Sequence, residues 1–157
     1  MAMVKALGNI PNGDILELGP GTGAITQFIV EQTGRHVVAL EKDQTMAAKL
    51  KQLWPQVEVL QGDAQRIPEL LSHKDKKLAA VVSGLPLLNM PHEVRKNIIA
   101  GAFEMMQPGG AMVQFTYGPH QPIPIELTDS LGVKGERSKK VWKNAPPATV
   151  WRFSKAQ

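Results

Sequence analysis

The ten residues D-I-L-E-L-G-P-G-T-G, Asp14 to Gly23, constrain this chain more than any other stretch. Ile15 to Leu18 is a short apolar run of the kind that forms a buried strand. Gly19, Gly21 and Gly23 then make a tight turn that opens a helix over A-I-T-Q-F-I-V-E-Q-T, carried by Ile25, Phe28 and Ile29. Glycines are wanted here because a Cβ would hold a ligand away from the backbone, and because such turns often need positive φ. The helix that follows aims its free N–H groups at whatever rests on the turn. A plain strand-to-helix turn has no need of three glycines in five residues beside an acid, so the stretch reads as a nucleotide loop.

Spacing alone leaves two ligand classes open, since Gly19, Gly21 and Ala24 also satisfy the dinucleotide pattern G-x-G-x-x-A. Glu17, on the strand just before the first glycine, separates them. A carboxylate there would repel a pyrophosphate. It would attract, directly or through water, the ammonium and sulfonium of S-adenosylmethionine. That cofactor is therefore preferred to NAD.

The rest of the chain supplies the partners such a loop requires. Gly34 stops the first helix, and His36 to Glu41 reads as a second buried strand ending in an acid roughly 20 residues beyond the loop, where a ribose diol is held. The alternative is that Glu41, Lys42 and Asp43 only start the next helix, Gln44 to Trp54, which Pro55 ends. In that helix Met46, Ala47, Leu50, Leu53 and Trp54 have helical spacing. Val57 to Leu60 is a third strand, followed by Gly62, Asp63 and Ala64, where Asp63 can accept from an adenine amino group or serve as a helix cap. Ile67 to Leu71 is a short turn of helix, and His73 to Lys77 is a surface loop with no assigned function.

Leu78 to Val82 is a fourth strand that runs into S-G-L-P-L-L-N-M-P, Ser83 to Pro91. This loop is apolar where a transferred group is expected, with Leu85, Leu87, Leu88 and Met90 and few polar side chains, although some of these leucines can simply pack on the neighbouring helix. A helix over His92 to Gln107 is stopped by P-G-G at Pro108 to Gly110, and Ala111 to Tyr117 is a fifth strand ending in the chain's one tyrosine. Ile125 to Leu131 is a short helix. Val133 to Lys143 and Thr149 to Phe153 read as a closing hairpin joined through Asn144 to Pro147. Strand and helix alternate five times with crossovers long enough for parallel pairing, and the chain ends in a hairpin, a layout that resembles the Rossmann-like methyltransferase sheet, in which the last of seven strands is inserted antiparallel.

Composition narrows the setting. At 157 residues, 43% hydrophobic and 20% charged, the chain suits a single globular domain spanning residues 1–157. It has no cysteine, which excludes disulfides and thiolate chemistry, and no metal is called for. No apolar run approaches the ~20 residues that span a bilayer, and the first residues lack a signal-peptide core, so a cytoplasmic or peripheral protein is expected. Net charge is +4, yet the segment from Val133 to Gln157 holds seven basic residues against one acid. That basic tail suits anionic lipid or nucleic acid, or else is the solvated face of an edge hairpin.

These residues also carry a family resemblance. E-L-G-P-G-T-G-A-I-T at Glu17 to Thr26 resembles the first motif of class I S-adenosylmethionine-dependent methyltransferases, particularly the group that includes the rRNA adenine dimethyltransferases. That group's fourth motif reads like N-L-P-Y, whereas this chain has S-G-L-P-L at Ser83 to Leu87. V-V-S-G-L-P-L-L-N, Q-F-T-Y-G-P and N-A-P-P-A-T-V-W-R together are similar to the bacterial phospholipid N-methyltransferases that convert phosphatidylethanolamine to phosphatidylcholine.

The resemblance implies a seven-stranded Rossmann-like α/β fold with helices on both faces. It implies S-adenosylmethionine as cofactor and S-adenosylhomocysteine as product. Glu17, Gly19, Gly21 and Gly23 match the cofactor loop; Glu41, with Lys42 beside it, the ribose position; Asp63 and Ala64 the adenine contacts; Ser83 and Gly84 the loop facing the methyl group. Tyr117 is the candidate catalytic residue, orienting the amine or meeting the growing ammonium through its ring. The expected partners are a phospholipid and the anionic inner face of a membrane, with a monomeric enzyme, no metal and no nucleic acid. The amphipathic segment that precedes the first strand in that family is absent here or reduced to Ala2 to Leu7. RNA adenine methylation, and a membrane-binding protein that keeps the cofactor fold without turnover, are the competing expectations.

Overall fold

A computed structural model describes residues 2–75, 77–138 and 148–155. Its strands are β1 (Ile15–Leu18), β2 (Val37–Glu41), β3 (Glu58–Gln61), β4 (Leu78–Ser83), β5 (Met106–Tyr117), β6 (Val133–Arg137) and β7 (Ala148–Lys155). They form one sheet in the order β3-β2-β1-β4-β5-β7-β6. The first five are parallel, and β7 runs antiparallel to both β5 and β6. This is the expected Rossmann-like class I methyltransferase fold. Because chain order reverses between β1 and β4, the crossovers leave in opposite directions there and open a crevice at the carboxyl ends of those strands.

Parallel strands covered on both faces need to be apolar on both faces, and β1, β2 and β4 are buried at every position. Helices α1 (Ala2–Ala6), α2 (Ala24–Thr33) and α3 (Gln44–Leu53) lie on one face, where Met3, Leu7, Ile29, Ala47 and Leu50 pack on Ile15, Val37, Ala39, Ala80, Val82 and Val113. Helices α4 (Ile67–Leu70), α5 (His92–Met105) and α6 (Ile125–Ser130) cover the other, where Ile67, Ile98, Ile99, Ala102, Phe103 and Leu127 meet Leu16, Leu18, Val38, Leu40, Val81 and Met112. Gly34 ends α2 in the left-handed conformation at φ 61, returning its N–H to Val30 O. Asp43 caps α3 by accepting from Met46 N–H, so the start of that helix belongs to Asp43 and not to Glu41.

Several local expectations change. The P-G-G stretch does not separate α5 from β5; α5 ends at Met105 and the strand already begins at Met106. Leu78 pairs with Met106 and Ala80 with Ala111, so the extra residues around Gly109, at φ 81, are absorbed as an irregularity inside the strand. Phe28 is exposed, since the inward positions of α2 are Thr26 and Ile29, and Leu53 is 64% exposed because it falls outside the stripe set by Ala47 and Leu50. The loop after α4 is also more than a surface connection. Lys74 bonds to Glu58 and Asp14, His73 to Glu58, and His36 lies between Asp14 and Glu58, which ties the amino ends of β1, β2 and β3 together far from the crevice. The closing hairpin's connection, Asn144 to Pro147, lies outside the described residues, as do Lys139, Lys140 and Lys143 of the basic tail. Among the described residues, no helix is long and apolar enough to cross a membrane.

Candidate functional site

The glycine turn sits at the carboxyl end of β1, at the mouth of the crevice. Gly19, Gly21 and Gly23 have φ of 65, 54 and 87, and Gly23 is the N-cap of α2 with no side chain capping it. Gly19 is required twice over. Its φ is strained for any residue with a Cβ, and a Cβ there would stand 2.7 Å from Leu85 Cδ2. At Gly23 a Cβ would stand 3.0 Å from Leu50 Cδ1, so the turn is closed on the α3 side. Around Gly21 the space is more open.

Three acids flank the turn in different environments. Glu17 is 1% exposed, and Thr26 Oγ1 donates to its Oε2 at 2.6 Å. Burial pushes its carboxyl up to about 7, against the lowering effect of the Thr26 hydrogen bond and with a further rise from the neighbouring Glu41. Any effect of Glu17 on a cation above the turn is therefore exerted from beneath it. Glu41, at the tip of β2, accepts from Gly21 N–H and from Asp43 N–H, each at 3.1 Å. The turn and the β2 acid are thus tied to each other. Asp63, beyond β3, accepts from Gln65 N–H at 2.9 Å and lies 3.4 Å from Lys42 Nζ. The Gln65 N–H, with Lys42 helping and burial opposing, holds its carboxyl below the usual range. Asp63 therefore does cap the short 3-10 turn Ala64–Arg66.

Gly19, Glu41, Lys42, Asp63 and Ala64 converge on one hollow of about 200 Å³, walled on its apolar side by Leu40, Met90, Val94 and Ile98. Glu17 and Ser83 do not line it. Ser83 is fully buried, and its Oγ accepts from Leu85 N–H at 3.3 Å, shaping the loop from below. A second space of about 500 Å³ opens beside the hollow over the ends of β4 and β5, with Gly84, Leu85, Leu87, Leu88, Phe115 and Tyr117 in its walls. Leu85 belongs to both spaces. Tyr117 is 59% exposed, and its ring meets Phe115 edge-on at 4.9 Å. No charged side chain lines this cleft among the described residues, and no group of three or more potential ligands there could hold a metal ion.

The residues fit S-adenosylmethionine. Glu41 offers a carboxylate to a diol, and Asp63 offers an acceptor in a hollow of about 200 Å³ that is apolar on one side, as suits an adenine. The positive-φ turn leaves its backbone bare for close approach, while the apolar cleft adjoins through Leu85. Two contributors escaped the sequence reading. Thr26 sits on the inward side of α2 and holds Glu17. Gln114, buried on β5, donates through Nε2 to Leu85 O at 2.7 Å and to Phe115 O at 2.9 Å, fixing the loop after β4. A glutamine in the middle of the run A-M-V-Q-F-T was the visible signal.

Known proteins resemble this chain in sequence and in fold. Residues 15–110 match the model of a methyltransferase domain family. The ornithine lipid N-methyltransferase of Singulisphaera acidiphila is 30% identical over 111 residues, covering 67% of this chain and 58% of that protein. The ribosomal RNA small subunit methyltransferase A of Chlamydia abortus is 38% identical over 84 residues, covering 53% of this chain and 30% of that protein. The chain thus spans less than two thirds of the length of either relative. The solved structure of the N-methyltransferase NodS from Bradyrhizobium japonicum, in complex with S-adenosyl-l-homocysteine, matches with a TM-score of 0.72 at 13% identity over 99% of this chain and 84% of that one, a likeness of fold. With its glycine turn, its strand-end acids and more than half its length inside the matched region, the chain belongs to the methyltransferase domain family.

Proposed function

We propose that this chain transfers methyl groups from S-adenosylmethionine to the amine of phosphatidylethanolamine at a membrane surface, in the direction of phosphatidylcholine. One observation carries the reading: the space that adjoins the cofactor hollow through Leu85 is apolar and has no charged side chain among the described residues, as suits a substrate bearing acyl chains. Leu88 and Tyr117 are exposed at that cleft and would meet such a substrate first. Glu41, Lys42, Asp63 and Ala64 hold the cofactor, with Gly19, Gly21 and Gly23 beneath it and Glu17 setting the charge of the floor. Ser83 and Gly84 shape the loop that faces the methyl group, and Tyr117 orients the amine.

Bound S-adenosylmethionine supplies a methyl group activated by a positive sulfur. The chain's part is to hold the amine nitrogen in line and free of its proton. Proximity and orientation alone lower such a barrier by about 7 kcal/mol or more in favourable cases. The name of the Singulisphaera relative, a lipid N-methyltransferase, supports a lipid amine as acceptor.

An RNA adenine is the second reading, favoured by the Chlamydia relative's name. It is weaker because Leu87 stands where an N-L-P-Y motif has its aromatic, and an aliphatic side chain, here 1% exposed and packed in the core, gives a flipped base no ring to stack on. Methyl transfer to lipid vesicles, run beside a structured RNA, separates the two.

A further inference from the structure

Gln114 is directly opposite Ser83 on β4 and Trp151 on β7, with its side chain buried. Its two Nε2 bonds both go to carbonyl oxygens, Leu85 O and Phe115 O, which identifies the nitrogen end of the amide and leaves Oε1 as the acceptor. That Oε1 is buried and has no hydrogen-bond partner. Buried acceptors are seldom left so. Gln114 lines the apolar cleft together with Gly84 and Leu85, and the Leu85 whose carbonyl it holds also borders the cofactor hollow.

The cleft also dictates the form in which an amine can enter. With no carboxylate in its lining among the described residues, an ammonium would lose hydration and gain no counter-charge, so burial favours the neutral amine. A neutral primary amine brings N–H groups that must themselves find an acceptor.

We infer that Gln114 Oε1 receives an N–H of the neutral acceptor amine and thereby turns the nitrogen lone pair toward the methyl group. This rests on the amine-lipid reading above. In each round the nitrogen lone pair forms the new N–C bond and the methyl–sulfur electron pair stays with sulfur; after the first two rounds the resulting ammonium gives a proton to water, whereas the third yields a quaternary ammonium with no proton to lose. A primary amine has two N–H groups, a monomethyl amine one, and a dimethyl amine none. Gln114 therefore serves the first two transfers and not the third.

The test compares wild type with Gln114→Met on vesicles carrying phosphatidylethanolamine, its N-monomethyl form or its N,N-dimethyl form, each alone. Transfer to the first two is expected to fall about tenfold further than transfer to the dimethyl lipid, the effect of one hydrogen bond, beyond the loss that all three share through release of the Leu85 loop. Trp151→Phe, which removes the neighbouring indole donor that also has no partner, is expected to leave the ratio unchanged. If Gln114→Met is too unstable to assay, Gln114→Asn withdraws the acceptor by one methylene and is expected to give the same order. An equal fall on all three lipids overturns the inference and spares the lipid reading, because Gln114 would then only prop the Leu85 carbonyl. The same selective pattern from Trp151→Phe overturns it too, by making the indole the partner of the amide. Wild type that labels none of the three lipids overturns both.

Discussion

Thr26 Oγ1 donates to Glu17 Oε2 at 2.6 Å in a setting almost closed to water, so the acid before the glycine turn is held by one hydroxyl and otherwise opposed by its surroundings. Its carboxyl titrates near 7 in the folded chain, against an ordinary 4.5. The folded state therefore holds that proton more tightly than the unfolded chain, and Glu17's contribution to stability falls as pH rises from 4.5 through 7. The loss is on the order of 3 kcal/mol. Urea melts of ligand-free protein at pH 5 and pH 8 are expected to differ more for wild type than for Glu17→Gln; equal differences would remove the strain assigned to this acid.

The same acid couples cofactor binding to protons. A cation held above the turn favours the ionised carboxylate, so affinity for S-adenosylmethionine is expected to rise with pH through about 7, with proton release on binding. Calorimetry in buffers of different ionisation heat reads both. Glu17→Gln is expected to flatten the profile, and a wild-type affinity independent of pH would detach Glu17 from the cofactor.

Glu41 has two tasks that substitutions can separate. It accepts from Gly21 and Asp43 backbone N–H groups, and it lines the hollow where a ribose would sit. Glu41→Ala is expected to weaken cofactor binding about tenfold or more while the fold persists, since loss of a charged acceptor costs about 1.5–3 kcal/mol. Glu41→Gln keeps one acceptor for the turn and is expected to melt closer to wild type than Glu41→Ala while still binding weakly. Unchanged affinity in both would sink the ribose assignment.

Gly19 and Leu85 are packed so closely that they should be energetically coupled. Gly19→Ala adds a Cβ at 2.7 Å from Leu85 Cδ2 on a backbone at φ 65, and is expected to destabilise by about 1–3 kcal/mol. Leu85→Ala in the same chain removes the collision and leaves the backbone strain. The double variant is expected to be less damaged than the sum of the single ones by about 0.5 kcal/mol or more, as read from denaturant midpoints. Strict additivity would mean the two residues do not touch.

At the other end of the sheet, Glu58 loses some stability to burial, yet Lys74, His73 and His36 together hold its carboxyl below the usual range. A lowered carboxyl stabilises the fold above its unfolded pKa, and that contribution disappears as pH falls through the folded one. Glu58→Gln is expected to cost under about 1 kcal/mol at pH 7, given its contact with solvent, and progressively less as pH falls below the usual carboxylate range. A cost that does not shrink as the carboxyl is titrated in acid would point to packing instead of charge.

The sheet was legible in the sequence because β1, β2 and β4 are short, mostly apolar runs that end at Gly19, at the acid Glu41 and, past Ser83, at Gly84. The first half of β5 was not, because P-G-G reads as a stop and only pairing with β4 turns it into an irregular strand. The strand-end acids could be found from spacing. What each acid touches could not: Glu17's hydroxyl partner, Glu41's hold on Gly21 and the anchoring of Leu85 by Gln114 all depend on separate elements brought together by the fold. The same holds for Lys74, which meets Asp14 across 60 residues of chain.

The most direct measurement is transfer of labelled methyl from S-adenosylmethionine to vesicles of phosphatidylethanolamine mixed with anionic lipid, with a structured RNA assayed alongside. Label in mono-, di- or trimethylated lipid, and none in RNA, is the expected result. Label confined to RNA, or none in either while the cofactor is still bound, would contradict the assignment of a lipid amine to the cleft between Gly84 and Tyr117.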